Sequence, residues 1–297
     1  MSAWKRLRYV WSHPANRGRR MRCVARAISW QLARRMTARP RDVAVFGDGM
    51  RLRCYPDSQS VALALYTGGW ADWHEMGFIK RYLRPGDAFL DVGANVGVYS
   101  LLAAWRVGAT GRIDAFEPAP ETLERLRENL AISGVSNVHV HALAVSDRAG
   151  HVRFVSGSDA MNHLAADGDG GDSHDGGERA RIIDVPCDLL DRQVGDRRYA
   201  MGKIDIEGAE PLALRGARRM LAAANPPVWL LEMNGRLRQF GCTEDEFAAW
   251  LGEAGYRLAL YDADRGELTF SDRPWREREN VLAVAETAID EVHSRLA

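Results

Sequence analysis

The feature of this chain that most constrains its fold is a regular alternation of short apolar runs with helical segments, which begins near residue 86. The apolar runs cover residues 88–95, 112–118, 138–145, 201–208 and 227–234. Strands that are buried on both faces and joined by helices run parallel in one sheet. The alternation therefore predicts an α/β domain with a doubly wound, mostly parallel sheet of the Rossmann-like type. Three further runs, 256–262, 267–271 and 280–284, predict an antiparallel edge.

The chain has 297 residues, which is long enough for such a domain with extensions. We expect a basic, partly helical arm, a small strand-and-helix extension and the main domain, over residues 1–41, 42–85 and 86–297. Within the extension, residues 47–49 (Gly-Asp-Gly) predict a hairpin turn, and residues 71–83 predict a helix.

The turn after the first strand of the main domain has the sequence Gly93-Ala-Asn-Val-Gly97 and is preceded by Asp91. Doubly wound domains bind ligands beyond the carboxyl ends of their strands, so this turn is a candidate binding site. Glycine allows the backbone to approach a ligand closely. A dinucleotide needs a further glycine, as in G-x-G-x-x-G, and its pyrophosphate would be repelled by Asp91. A cofactor with an ammonium group and no phosphate fits better.

Glu117 ends the second predicted strand, 20 residues after Gly97. An acidic side chain at this place can accept hydrogen bonds from both hydroxyl groups of a ribose. The alternative is a structural role, because a carboxylate before Pro118 and Pro120 stabilises the start of the following helix. Together with the glycine turn, Glu117 favours ribose binding, and the pattern predicts S-adenosylmethionine (SAM) as the cofactor.

Acidic and amide side chains end the fourth and fifth predicted strands. Asp205 interrupts an otherwise buried run, and Glu207 lies two residues later, on the same face if the strand continues. We interpret Asp205 as a general base or as a ligand of a divalent cation. Glu232 and Asn234 end the neighbouring strand and are candidates for the same cation site. Glu207 has an alternative role as a cap of the following helix.

The histidines and the segment 157–178 give weaker signals. The segment is rich in glycine and aspartate, which predicts a flexible loop. Two interpretations of this loop stay open, a lid over the site or a neutral insertion. His163 lies within the segment and is a further candidate for a catalytic base. His139 and His141 alternate with valines, which is typical of a partly solvated strand.

The formal net charge is zero, but the basic residues are unevenly distributed. Residues 1–41 contain twelve Lys or Arg and no Asp or Glu. Apolar residues recur there at helical spacing, first at Trp4, Leu7, Val10 and Trp11 and then at Val24, Ile28 and Leu32. Two interpretations stay open. Either the arm packs on the domain with its arginines in solvent, or residues 1–36 make weak peripheral contact with an acidic membrane surface or another anionic partner.

Cysteine usage and hydropathy indicate a compartment. The cysteines form no CxxC pair and no metal-ligand spacing, so reduced thiols are expected at Cys23, Cys54, Cys187 and Cys242. No run reaches the ~18 apolar residues of a membrane span. Arginines interrupt any signal-peptide core at the N-terminus. We expect a cytoplasmic protein, which lies at the inner face of a membrane if the arm contacts lipid.

Several segments together resemble the FkbM family of SAM-dependent methyltransferases. These segments are DVGANVGVYS (91–100), FEP (116–118), SDRAG (146–150), VPCDLLD (185–191) and KIDIEGAE (203–210). The resemblance extends over most of the chain and implies a class I methyltransferase fold with SAM as cofactor. It also implies O-methylation of hydroxyl groups on sugars, other glycans or polyketides.

The resemblance implies roles for individual residues by their position. The loop at the methionine part of SAM would consist of Asp91, Gly93, Asn95 and Gly97. Glu117 would hold the ribose. Asp205 and Glu207 fall on the signature strand of the family, and would therefore lie near the acceptor.

Other functions remain open at this point. One is methylation of a different acceptor class, such as a nitrogen atom, a protein or RNA. Another is a non-catalytic domain that binds SAM as a sensor or scaffold. Nucleic acid is not expected, because positive charge is concentrated in the arm rather than along the predicted cleft. We therefore expect a small-molecule or glycan acceptor.

Overall fold

The computed structural model describes residues 3–37, 39–47, 49–58, 60–157, 162–166, 174–175, 178–179 and 181–297. Its α-helices are α1 (Ala3–Ser12), α2 (Arg20–Met36), α3 (Ser60–Thr67), α4 (Trp73–Tyr82), α5 (Val98–Val107), α6 (Pro120–Ile132), α7 (Leu190–Val194), α8 (Glu210–Arg215), α9 (Arg218–Ala222), α10 (Glu244–Glu253) and α11 (Ile289–Leu296). Short 3₁₀ helices cover Pro14–Asn16, Gly235–Phe240, Pro274–Arg276 and Glu286–Ala288.

The strands of the first half are β1 (Arg41–Ala44), β2 (Arg51–Cys54), β3 (Ala88–Val92), β4 (Arg112–Phe116), β5 (Val138–His141), β6 (Ala144–Val145), β7 (Gly150–Ser156) and β8 (His163–Leu164). Those of the second half are β9 (His174–Asp175), β10 (Glu178–Arg179), β11 (Arg181–Asp188), β12 (Met201–Ile204), β13 (Val228–Glu232), β14 (Tyr256–Asp262), β15 (Glu267–Phe270) and β16 (Asn280–Ala285). Most of the predicted loop 157–178 lies outside the described residues.

The main sheet has the strand order β15-β14-β16-β13-β12-β3-β4-β5. Strands β5, β4, β3, β12 and β13 pair in parallel, whereas β16 is antiparallel to both of its neighbours, β13 and β14. The direction of strand progression reverses between β3 and β12, which is the switch point where such sheets bind ligands. The prediction of a doubly wound, mostly parallel sheet with an antiparallel edge is confirmed.

Local sequence explains where several elements begin and end. Phe89 and Leu90 of β3 are fully buried, as expected for a central strand covered on both faces. Pro120 opens α6 at a position where its missing N–H costs no hydrogen bond. Thr243 and Glu246 form a capping box at the start of α10.

Two predicted elements differ from the structure. The run 138–145 divides between two sheets, because β5 joins the main sheet and β6 pairs with β11 in a second sheet of order β6-β11-β7-β8. This second sheet buries its own apolar cluster, which includes Phe154 and Val185. The sequence predicts one helix over residues 209–223, after the fourth strand, but the structure divides this segment into α8 and α9 at Gly216. A Cβ at Gly216 would lie 2.1 Å from the carbonyl oxygen of Ser146, so only glycine fits at this close approach of the two backbones.

The extension contains the expected hairpin and helix. Strands β1 and β2 pair with Ala44 opposite Arg51, and α4 covers most of the predicted helix. Asp48, in the middle of the predicted turn, lies outside the described residues. Among the described helices, none is both long and apolar enough to cross a membrane.

The arm packs on the main domain through one face of α1 and α2. Cys23, Ala27 and Trp30 of α2 are buried in the same hydrophobic core as the main domain. Of the predicted apolar stripe on α2, Val24 packs against this core, whereas Ile28 and Leu32 point outward and are 45% and 56% exposed. Small side chains and Trp30 therefore make the contact with the domain, and the larger aliphatic residues face outward.

Candidate active site

A cavity of about 300 Å³ lies at the carboxyl ends of β3, β4, β12 and β13. It is lined by residues 93–96 of the turn after β3, by Glu117 after β4 and by residues 205–207 after β12. Glu232, at the end of β13, lines a further side. The structure thus brings together the turns that the sequence singled out, at the switch point of the sheet.

The turn after β3 depends on backbone conformations with positive φ. The φ angles are 77° at Gly93, 52° at Asn95 and 91° at Gly97. A Cβ at Gly93 would lie 2.0 Å from the carbonyl oxygen of Asp205, so glycine lets this turn lie against the end of β12. A Cβ at Gly97 would lie 2.5 Å from Cδ1 of Leu126. Gly97 therefore allows α5 to start against α6, and it does not line the cavity.

Glu117 connects two turns and also faces the cavity. Its Oε2 accepts a hydrogen bond from the N–H of Asn95, and its Oε1 accepts one from the N–H of Ala119, both at 2.9 Å. Burial raises the pKa of Glu117 to about 7. Each carboxylate oxygen keeps a second lone pair that can accept a hydroxyl hydrogen. The structural role and the ligand-binding role of Glu117 are therefore compatible.

Asp91 lies behind the turn and not in the cavity. It is fully buried, and its Oδ2 accepts a hydrogen bond from Oγ of Ser100 at 2.6 Å. Burial raises the pKa of Asp91. The predicted direct contact between Asp91 and the cofactor is therefore corrected. Asp91 instead connects the end of β3 to α5 through Ser100.

Three carboxylates meet at the ends of β12 and β13, which lie on the other side of β3 from β4. Asp205, Glu207 and Glu232 have carboxylate oxygens within 4.8 Å of one another. Nζ of Lys203 lies 3.0 Å from Oδ2 of Asp205, and Nη1 of Arg236 lies 2.8 Å from Oε2 of Glu207. We call Asp205, Glu207 and Glu232 the acidic cluster.

The protonation of the acidic cluster follows from its burial. Burial raises the pKa of Glu232 to about 9, and the negative charges of Asp205 and Glu207 add to the shift. The carboxyl group of Glu232 is therefore neutral at pH 7 and can donate a hydrogen bond. Burial by itself would lower the pKa of Lys203, but the carboxylates of Asp205 and Asp91 make the net shift upward. Lys203 therefore stays charged beside Asp205.

The raised pKa of Glu232 predicts a stability that falls as the pH rises. The folded protein keeps this proton up to about pH 9, whereas the ordinary pKa is 4.5. Between these values the folded state binds more protons than the unfolded state, so the contribution is complete below pH 4.5 and is lost as the pH rises through 9. Glu232→Gln imitates the neutral carboxyl group. We expect this variant to melt at a higher temperature than the wild type at pH 8 and at a similar temperature at pH 4.5.

Thermal unfolding followed by circular dichroism at both pH values measures this difference. Glu124→Gln, at an exposed position of α6, makes the same chemical change outside the cavity and should not alter the pH dependence. A Glu232→Gln variant with the same pH dependence as the wild type would show that Glu232 is already ionised in the folded protein.

Part of the cavity wall was not indicated by the sequence. Oη of Tyr99 donates a hydrogen bond to Oδ2 of Asp72 at 2.8 Å, and Nζ of Lys203 lies 4.8 Å from the centroid of the Tyr99 ring. Burial raises the pKa of Asp72. Asp72 precedes α4, so the extension contributes a wall of the site. Lys203 is the residue from which such partners could have been inferred, because a lysine within an apolar strand requires a partner for its charge.

Asn234 does not reach the acidic cluster. Its Oδ1 accepts a hydrogen bond from the N–H of Arg236 at 3.0 Å and caps the 3₁₀ helix Gly235–Phe240. The predicted cation site of Asp205, Glu232 and Asn234 is therefore corrected, and Glu207 takes the place of Asn234. Glu207 belongs to the cavity and is not merely a helix cap.

His163 lines the cavity from β8, and burial raises the pKa of the nearby Glu207. His139 and His141 lie on β5, away from the cavity. Nε2 of His141 lies 3.0 Å from Oδ1 of Asp114. Of the predicted lid, the described residues that line the cavity are 162–164, and most of the remaining segment lies outside the described residues.

A family model described as the methyltransferase FkbM domain matches residues 91–258, more than half of the chain. The chain belongs to the FkbM methyltransferase family. The predicted family is confirmed, and with it the assignment of a SAM-dependent methyltransferase domain. The match includes the turn after β3, Glu117 and the acidic cluster.

Two curated relatives of this FkbM-family chain match it over shorter segments. The 31-O-demethyl-FK506 methyltransferase FkbM of Streptomyces tacrolimicus is 44% identical over 79 residues, which cover 26% of this chain and 29% of that protein. The protein-L-isoaspartate O-methyltransferase of Ignicoccus hospitalis is 41% identical over 58 residues, which cover 20% of this chain and 28% of that protein. The matched segments span less than a third of either relative.

Solved structures of methyltransferases resemble the chain at low sequence identity. The methyltransferase FkbM from Methylobacillus flagellatus is 14% identical, with a TM-score of 0.41, and the comparison covers 89% of this chain and 60% of the other. A SAM-dependent O-methyltransferase from Thermotoga maritima is 14% identical, with a TM-score of 0.39, and coverage of 71% and 64%. The family match and the strand order of the main sheet, rather than these scores, establish the class I methyltransferase fold.

Proposed function

We propose that this chain transfers the methyl group of SAM to a hydroxyl group of a sugar, a glycan or a polyketide-type small molecule. The observation that carries the proposal is the position of Glu117 and the acidic cluster around one cavity at the switch point. The carboxylates of Asp205 and Glu207 accept hydrogen bonds and the carboxyl group of Glu232 can donate one, so this wall favours an acceptor that carries hydroxyl groups. Both curated relatives have names that refer to an oxygen atom as the acceptor.

The residues of the cavity fit SAM. Glu117 has lone pairs for ribose hydroxyl groups, at the strand end where acidic residues hold a ribose. Residues 93–96 of the turn after β3 bring the backbone close to a ligand. Phe116 and Leu143 supply apolar surface for a purine ring.

The chain's own residues would then prepare the acceptor. When bound, SAM supplies an electrophilic methyl group. Asp205 is placed to accept the proton of the acceptor hydroxyl, and its ion pair with Lys203 fixes the orientation of the carboxylate. The neutral carboxyl group of Glu232 can donate a hydrogen bond to a second oxygen of the acceptor. Holding the acceptor oxygen in line with the methyl group is the main contribution to the rate.

A divalent cation bound by the acidic cluster is the alternative way to activate the hydroxyl group. Lys203 and Arg236 already balance two of the three carboxylates, and Glu232 keeps a proton, so we favour Asp205 as a base. Treatment with a chelator separates the two mechanisms. Activity that disappears with the chelator and returns with magnesium would support the cation.

Methylation of nitrogen is a second candidate function, because the carboxylates of Asp205 and Glu207 can also accept a hydrogen bond from the N–H of an amine. A domain that binds SAM without catalysis is the third candidate, and it differs from the others in showing no turnover on any acceptor.

Transfer of an isotope-labelled methyl group from SAM tests the proposed function. The whole chain is incubated with separate pools of sugars, glycans, polyketides, amines, proteins and RNA, and the products are analysed by mass spectrometry. We expect the label in an O-methyl group from one of the hydroxyl-containing pools. Label on nitrogen, protein or RNA would contradict the proposed acceptor. Binding of SAM without transfer to any pool would support the non-catalytic domain.

Glu117→Ala is expected to weaken SAM binding by about 1.5–3 kcal/mol, because charge-assisted hydrogen bonds to the ribose are lost. Titration calorimetry measures the dissociation constant, and circular dichroism verifies the fold. Glu121→Ala, at an exposed position in the first turn of α6, should leave the affinity unchanged. An unchanged affinity in a folded Glu117→Ala variant would restrict Glu117 to its structural role.

A further inference from the structure

Every large apolar side chain that is exposed among the described residues lies in the arm. The exposed fractions range from 36% at Leu7 to 81% at Met36. The set consists of Trp4, Leu7, Trp11, Met21, Ile28, Leu32 and Met36. Single exposed apolar residues are normal on a protein surface, but their concentration on one segment marks an interaction site. We call this set the arm face.

The arm face extends continuously over two helices. Its members on α1 are spaced three and four residues apart, and those on α2 are spaced seven, four and four residues apart, so each set lies on one side of its helix. The guanidinium group of Arg20 lies 5.7 Å from the centroid of the Trp11 ring. Because Arg20 begins α2, this contact places Trp11 beside the first turn of that helix.

The surroundings of the arm face are basic. Residues 1–41 hold twelve of the 40 basic residues and none of the 40 acidic ones, so the rest of the chain is acidic overall. Arg17 pairs with Asp264, and Arg26 donates a hydrogen bond to the carbonyl group of Tyr66, so both contact the domain. Other arginines of α1 and α2 are exposed, namely Arg8, Arg20, Arg22, Arg34 and Arg35.

The opposite side of the arm is anchored in the domain. Val10 and Trp30 are at most 1% exposed. Nε2 of His13 lies 3.0 Å from the carbonyl oxygen of Ala71, which precedes Asp72 of the cavity wall. The folded domain therefore presents the arm face in a fixed position, and the arm is attached next to the candidate active site.

We propose that the arm face is a docking surface for a bilayer of anionic lipids. Tryptophan and arginine are typical of helices that lie in the plane of a membrane, where the ring and the aliphatic stem contact acyl chains and the charge reaches the headgroups. The bilayer is favoured over a protein partner by the charge. A protein surface usually carries charges of both signs, whereas a segment with twelve basic residues and no acidic one complements a uniformly anionic surface.

Flotation of the whole chain with lipid vesicles tests this proposal without any methyl acceptor. Vesicles of phosphatidylcholine alone are compared with vesicles that also contain phosphatidylglycerol, at low and at physiological salt. We expect binding to the anionic vesicles, weaker binding at higher salt and little binding to phosphatidylcholine alone.

Two double variants separate the apolar and the charged contributions. Leu32→Ser with Met36→Ser removes exposed apolar surface and is expected to weaken vesicle binding about tenfold or more. Arg34→Glu with Arg35→Glu reverses two exposed charges and is expected to have an effect of about the same size. Arg215→Glu with Arg218→Glu makes the same charge change at exposed positions of α8 and α9. This control variant should bind the vesicles nearly as well as the wild type does.

Equal binding to both vesicle types, or unchanged binding of both arm variants, would overturn the proposal. So would an equally large loss in the Arg215→Glu, Arg218→Glu control, since the effect would then follow from total charge. Light scattering tests the remaining alternative, in which the arm face binds a second copy of this chain. A dimer that becomes a monomer in the Leu32→Ser, Met36→Ser variant, without vesicle binding by the wild type, would assign the arm face to a second copy of this chain.

Discussion

Replacing Asp205 with asparagine is expected to lower kcat by at least about 100-fold, while the affinity for SAM stays close to that of the wild type. Asparagine keeps the shape of the side chain and removes the charge that accepts the proton. Glu117 and the turn after β3 lie on the cofactor side of the cavity, whereas Asp205 belongs to the acidic cluster. The loss should therefore occur in the chemical step. Steady-state kinetics and titration calorimetry on the same preparation measure the two effects.

The matched control is Asp196→Asn, at a position whose side chain is 94% exposed and pairs with Arg219. This variant loses an ion pair of similar geometry outside the cavity and should keep its kcat. A melting temperature for each variant verifies that Lys203 tolerates the loss of its partner. If Asp205→Asn turns over like the wild type, Asp205 is not the base, and His163 becomes the next residue to replace.

Gly93→Ala is expected to lower the free energy of unfolding by about 2–4 kcal/mol and to abolish SAM binding. The φ angle of 77° is unfavourable for alanine, and the new Cβ would lie 2.0 Å from the carbonyl oxygen of Asp205. Either the turn or the end of β12 must move, and both line the cavity. Denaturant-induced unfolding and titration calorimetry measure the two losses.

Gly134→Ala separates the backbone effect from the steric effect. Gly134 has a φ angle of 64°, but no atom lies within 4 Å of the position of an added Cβ. We expect this variant to lose about 1–2 kcal/mol of stability and to bind SAM normally. Equal losses in the two variants would show that the approach of the turn to β12 is not a constraint.

The part of the site that follows from local sequence could be predicted. Parallel strands place their carboxyl ends at one edge of the sheet, so residues directly after them converge whatever the rest of the chain does. This rule placed Gly93, Glu117 and Asp205 around one cavity. The doubly wound, mostly parallel sheet could also be predicted, because buried strands that are joined by helices pair in parallel.

Residues whose position depends on side-chain direction or on distant contacts could not be predicted. β12 ends at Ile204, so the alternation of faces in a strand no longer applies to Glu207, whose φ angle of 59° lies outside the strand region. Asn234 does not reach the acidic cluster, because its Oδ1 accepts a hydrogen bond from the N–H of Arg236. Asp72 belongs to the extension, and its place beside Tyr99 depends on how that segment packs on the sheet.

The arm shows why hydropathy alone did not identify the buried face of α2. Cys23, Ala27 and Trp30 have helical spacing, as do the more apolar Ile28 and Leu32. Close packing against the domain favours small side chains together with one large ring, a choice that depends on the shape of the opposite surface. The larger aliphatic residues remained outside, where they form part of the arm face.

Titration calorimetry of the whole chain with SAM, and separately with NAD, tests the assignment of the cavity most directly. We expect SAM to bind at one site with a micromolar dissociation constant, which corresponds to about −8 kcal/mol, and NAD to show no measurable binding. Tight binding of NAD together with no binding of SAM would contradict the assignment of this cavity to a methyltransferase cofactor.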